Sequence, residues 1–141
     1  MKNTILIGLI VLFANAPVQA QSTEEKEIKD TVLAFAKAGD QNDVQTLEQH
    51  LDSNYRVVMN RLFGSSEVAI VPRSVYLQKI KSKEWGGDQR EVSFKNIIVN
   101  ENVATAKVVL KGKKATFVSL MDLIKTEKGS WKLISDTPII L

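Results

Sequence analysis

His50 is the only histidine in the 141-residue chain, and there is no cysteine. A histidine does general acid–base work only beside convergent partners, and His50, in "EQHLDSN", has no carboxylate pair suited to it. It is read as a structural or surface residue. Without cysteine, thiol nucleophiles, Cys-based metal sites and disulfides are excluded, and one histidine is too few for a His-based metal site. Carboxylate-only sites would need acidic residues clustered at loop spacing, and no such cluster stands out. Neither a metal nor a cofactor is expected.

Three arginines, Arg56, Arg61 and Arg73, flank a pair of short β-type stretches. A guanidinium fork can grip a carboxylate or phosphate at two points, but salt bridges to Glu67, Glu84 or Asp88 are the plainer reading. Lys111, Lys113 and Lys114 around Gly112 read as a solvated hairpin tip that discourages edge pairing.

The elements that must position these residues follow from periodicity. Ser22 and Glu25 stand at capping-box spacing, and Ile28, Val32, Phe35 and Ala36 share one helical face up to Gly39. "QNDVQTLEQHL" predicts a second, shorter helix, capped by Asn42 or Asp43, with Val44, Leu47 and Leu51 buried. From Tyr55 the period becomes two, with Tyr55, Val57, Met59 and Arg61 on one side of a strand. "FGSS" is a turn, "EVAIV" a second strand, and "RSVYLQKIKSKEW" a third helix that ends at Gly86 and Gly87. The last third is four strands, "REVSFKNIIV", "NVATAKVVLK", "KATFVSLMDLIK" and "SWKLISD", divided by turns, the last stopping at Pro138. Alternation sets Phe117, Ser119, Met121 and Leu123 on one face and Asp122 on the other, and it pairs Trp131 with Leu133 in the core. Helices followed by antiparallel strands make an α+β domain.

The first twenty residues are expected to lie outside that domain. Lys2, an apolar run from Ile5 to Ala14 and "NAPVQA" ahead of "QSTEEK" form a secretory signal peptide cleaved after Ala20. The run is about ten residues, against roughly 20 for a membrane span, and Gln21 rather than cysteine follows, so no membrane anchor is expected. Residues 21–141 are then one domain, periplasmic or secreted. Its 18 basic and 16 acidic side chains, once Lys2 is gone, are too balanced to suggest nucleic acid.

"VLAFAKAGDQNDVQTLEQHLDSNYRVVMN", "VYLQKIKSKEWGGDQREVSF", "NVATAKVVL" and "TFVSLMDLIKTEKGSWKLISDTP" resemble the nuclear transport factor 2-like, or cystatin-like, superfamily, in its secreted bacterial branch labelled putative lumazine-binding. The resemblance implies a cone-shaped curved antiparallel sheet with the three N-terminal and central helices packed on its concave face around an apolar pocket. Members include binding modules, dimerisation domains and enzymes such as ketosteroid isomerase, so fold alone leaves the activity open. Matching "YRVVMN" to the isomerase strand puts Met59 where a general base would sit, and a thioether takes no proton. Isomerase chemistry of that kind is disfavoured. The resemblance places Tyr55, Met59, Tyr76, Trp85, Phe117 and Met121 on surfaces that meet inside the fold, as candidate binding residues for a small apolar or planar molecule. The expected function is ligand binding or interaction rather than catalysis, the alternatives being a cofactor-free isomerase or dehydratase and a purely structural dimer with a filled interior. Both faces of "TFVSLMDLI" are apolar, which predicts a homodimer through the outer face of the sheet, with Asp122 partnered by a residue such as Lys107 or Ser135 or else lying at the rim.

Overall fold

The computed structural model describes residues 16–141, with side chains from Thr23 onward. The apolar run of the expected signal peptide lies outside the described residues.

Helix α1 spans Ala16–Asp40, so it begins before the capping box at Ser22. Nothing between Ala16 and Gln21 opposes helix, since Ala and Gln are good formers and Pro17 falls in the first turn, where its missing N–H leaves no bond unmade. Its buried face holds Ile28, Val32, Phe35 and Ala36, as the periodicity predicts, and Ala38 besides. A short turn leads to α2 (Val44–His50), whose N-cap Asp43 accepts from the Thr46 backbone N–H at 3.0 Å. Leu47 is buried in α2, whereas Leu51, also buried, is already the first residue of strand β1 (Leu51–Asn60). Strand β2 (Val68–Pro72) leads into α3 (Arg73–Lys81), which buries Tyr76, Leu77 and Ile80. Strands β3 (Glu91–Asn100), β4 (Val103–Lys111), β5 (Thr116–Lys125) and β6 (Trp131–Ile140) complete the chain.

The six strands form one sheet in the order β2-β1-β6-β5-β4-β3. This corrects the cone-shaped curved antiparallel sheet implied by the resemblance. The sheet is mixed, and it is open rather than closed or strongly curled. Successive strands joined by hairpins run antiparallel, but β1 and β6 pair in parallel. No tight turn joins those two, and a parallel neighbour requires a long crossover; here α3 and four strands supply it. Closure would bring the two edges together, yet five-residue β2 and β3 stand at opposite ends of the order. The helices cover one face, where Tyr55, Val57, Ala106, Val108, Met121, Leu123, Trp131 and Leu133 are buried against them. Trp131 is core, as its alternation with Leu133 predicts.

Strand β6 departs from its expected course twice. It continues past Pro138 to Ile140, because the ladder with β1 has ended at Asp136 and an open side tolerates a residue without an N–H. It also carries a bulge: Asp122 pairs with Ser135 and Leu123 with Leu133, leaving Ile134 unpaired. The extra residue reverses the alternation beyond it.

Candidate functional site

The bulge decides what the site contains. Strict alternation from Trp131 and Leu133 would turn Ser135 inward and Asp136 to solvent. With Ile134 inserted, Ser135 faces out, where its hydroxyl donates to Asp122 Oδ2 at 2.7 Å, and Asp136 joins the covered face opposite Met121 and beside Val57. Asp136 lines a cavity of about 540 Å³ between the helices and the sheet.

The cavity walls are mainly apolar. Phe35 from α1, Val57 and Met59 from β1, Tyr76 and Ile80 from α3, Trp85, Leu110 and Phe117 all line it, and the exposed Phe63 of the β1–β2 loop stands at its edge. Four aromatic rings form a continuous run: Phe35 and Tyr55 at 6.2 Å between centroids, Tyr55 and Tyr76 at 5.3 Å, Tyr76 and Trp85 at 6.0 Å. Of the six candidate residues, Met59, Tyr76, Trp85 and Phe117 line the cavity. Tyr55 and Met121 are fully buried in the core behind it. Trp85 forms part of the wall, with Lys79 Nζ 5.3 Å from its ring centroid.

The turn that carries Trp85 is fixed by the turn between α1 and α2. Asn42, held at φ 54° after α1, donates through Nδ2 to the carbonyls of Ile80 at 3.0 Å and Trp85 at 2.8 Å. Gly86 has φ +79°, and a Cβ there would lie 2.3 Å from the Gly39 carbonyl. Asp88 closes the neighbouring edge by accepting from the backbone N–H groups of Lys113 and Lys114, each at 3.1 Å. These bonds favour its ionised form and hold its carboxyl below the usual range.

None of the three arginines singled out in the sequence lines the cavity; Arg73 lies against Glu48, and Arg56 and Arg61 are exposed. Of the acids expected to pair with them, Glu84 bonds Lys79 instead. The cavity arginine is Arg90, which sequence reasoning passed over. It donates to the Asp40 carboxylate and, at 2.9 Å, to the Ala36 carbonyl, tying the end of α1 to the start of β3. His50 is half-buried away from the cavity; burial and Lys132 lower its pKa.

Asp136 is the one acid near the aromatic run that is 8% exposed. Burial raises its carboxyl to about 6, opposed in part by the Ser119 hydroxyl and the Arg90 guanidinium. Ser119 lies close without meeting hydrogen-bond geometry, for neither its Oγ nor Asp136 Oδ1 has a protein partner. Burial likewise raises the phenols of Tyr55 and Tyr76, so both stay neutral. Among the described residues no three acidic or histidine side chains meet in a way that could hold a metal ion.

A family model described as "putative lumazine-binding" matches residues 23–137. The chain belongs to this family. No curated protein matches it, but solved structures share its fold. An NTF2-like protein of unknown function from Silicibacter pomeroyi aligns with TM-score 0.75 at 16% identity, over 86% of this chain and 98% of that one. Another from Shewanella baltica gives 0.73 at 14%, over 85% and 95%. A ketosteroid isomerase-like protein from Erwinia carotovora atroseptica gives 0.66 at 15%, over 84% and 96%. At such identities the likeness establishes an NTF2-like fold and leaves the chemistry to this chain's own residues.

Proposed function

We propose that this domain binds a small, mainly apolar molecule in the cavity between the helices and the sheet. The observation that carries this reading is the cavity itself, about 540 Å³ and walled by Phe35, Met59, Tyr76, Trp85, Leu110 and Phe117. Apolar walls with a few convergent polar groups are the ordinary make-up of small-molecule sites, which run about 300–1,000 Å³. Trp85 reports occupancy: in a Trp131→Phe background, planar apolar compounds, lumazine and flavins among them, should shift its emission and raise the melting temperature. Silence across the whole set would return the protein to the structural reading, a fold whose interior serves only packing.

Asp136 favours a second reading, proton transfer on a bound substrate by a cofactor-free isomerase or dehydratase. A titratable carboxyl in an apolar cavity is suited to it. Solvent deuterium appearing in a bound ketone, and absent with Asp136→Asn, would establish it.

We also propose that the protein is exported, with cleavage after Ala20. The described residues hold no helix long and apolar enough to cross a membrane. Among the α1 residues whose side chains are described, the buried face starts at Ile28, beyond that cleavage point. Mass analysis should find Gln21 at the N-terminus of exported protein, and an intact Met1 would overturn the proposal.

A further inference from the structure

Three buried polar atoms of the cluster at the cavity, Tyr55 Oη, Ser119 Oγ and Asp136 Oδ1, have no partner in the protein. The strands bring them together. Asp136 pairs with Val57 on β1 and with Met121 on β5. Tyr55 and Ser119 stand two residues from those partners on the same covered face, so each is a diagonal neighbour of Asp136, about 7–8 Å away along the sheet and within reach of long side chains. The residues are 1%, 1% and 8% exposed. Buried polar groups are nearly always bonded, and one left without a partner is costly. Three neighbours unsatisfied together, two of them lining a cavity, form a recess that a group from outside would complete.

We propose that this recess is a polar subsite for the head of the bound molecule, and that the head is a neutral group which both donates and accepts, a hydroxyl or an amide on an apolar body. The inference rests on the ligand-binding reading above and adds the chemistry of the ligand's inner end. An ionised Asp136 only accepts, so the head must offer it a proton donor; the Ser119 hydroxyl, which lines the cavity with it, can donate, so the head should also present a lone pair. A carboxylate head would meet the like charge of Asp136. An ammonium head would give up its hydration beside the fixed Arg90 guanidinium, which lines the same cavity.

Equilibrium dialysis of the purified protein at pH 8 against naphthalene, 2-naphthol and 2-naphthoate separates these heads on one apolar body. The expected result is that 2-naphthol binds about tenfold or more tightly than the other two, the gain of one hydrogen bond to a charged group. Asp136→Leu should bring 2-naphthol level with naphthalene while naphthalene affinity is kept, and Ser119→Ala should narrow the gap; the second variant serves if the first does not fold. If 2-naphthol binds no better than naphthalene, or if its advantage survives in a folded Asp136→Leu protein, the polar subsite is overturned and the apolar cavity stands. If no naphthalene compound binds, the cavity reading falls and this inference with it.

Discussion

Asp136 couples the stability of the fold to pH. Its carboxyl titrates at about 6 in the folded protein and at about 3.9 in an unfolded chain, so the folded state holds the proton more tightly between those values. Stability contributed by this group is full below about pH 4, falls as pH rises through about 6, and is flat above. The shift corresponds to roughly 3 kcal/mol as an upper figure. The groups that face it are Tyr55 from β1, Tyr76 from α3, Ser119 from β5 and Arg90 ahead of β3, itself bonded to Asp40 from α1. Both tyrosines stay neutral across this range, so Asp136 should dominate the difference between wild type and Asp136→Asn. We expect the variant to be the more stable above pH 7, by about 1–3 kcal/mol, with the gap closing towards pH 4. Denaturant titrations at pH 4, 6 and 8 would show it, and parallel profiles for the two proteins would refute a buried, strained carboxylate.

The turns and bulges decide which of these residues meet. Gly64 and Gly86 share φ +79°, but a Cβ at Gly64 has nothing within 4 Å, whereas one at Gly86 would overlap the Gly39 carbonyl. Gly64→Ala should therefore cost only backbone strain, about 1 kcal/mol. Gly86→Ala adds a clash with a carbonyl that also receives the Gly87 N–H and should cost about 2 kcal/mol or more. Urea midpoints compare them, and equal losses would mean that the Trp85 turn is looser than its contacts indicate. The helical faces and the strand alternation were legible in the sequence because each is a local, periodic pattern. Asp136 was missed because a period-two reading carries straight through a bulge. A partial signal was present: Trp131 and Leu133 sit at odd positions of β6 and Pro138 and Ile140 at even ones, with Ile134 and Ile139 on the opposite parities. The same switch, from Val92 and Phe94 to Ile97 and Val99, marks the irregularity between Phe94 and Asn96 in β3. Arg90 left no such trace, since its partners Asp40 and Ala36 are about fifty residues away in the chain. Parallel pairing of β1 with β6 is equally non-local, and hairpin spacing says nothing about it.

An open sheet covered on one face leaves the other face to be accounted for. Across the uncovered side the paired rows run Ile98–Thr105–Asp122–Ser135, Val103–Ile124–Lys132, Lys107–Leu120–Thr137 and Val109–Val118–Ile139. Ile98, Val103, Leu120 and Ile139 are 60%, 45%, 49% and 51% exposed. Soluble monomers seldom carry a contiguous apolar patch beyond a few hundred Å². The carboxylate within this face is already met: Asp122 accepts from Thr105 and Ser135 hydroxyls, each at 2.7 Å. The sequence reading offered Lys107 or Ser135 as its partner; Ser135 is one of the two, and Lys107 remains exposed beside Leu120. A carboxylate bonded within its own sheet demands little of a partner, so a second copy could cover the apolar rows without leaving a buried acceptor unmade. We expect a twofold homodimer through this face, the common symmetry for such contacts. Light scattering at micromolar concentration should return twice the chain mass, and Leu120→Asp should halve it while leaving the circular dichroism unchanged, because Leu120 projects away from the helices. A wild-type monomer would remove the dimer and leave this face an ordinary solvated surface, with the cavity on the opposite side unaffected.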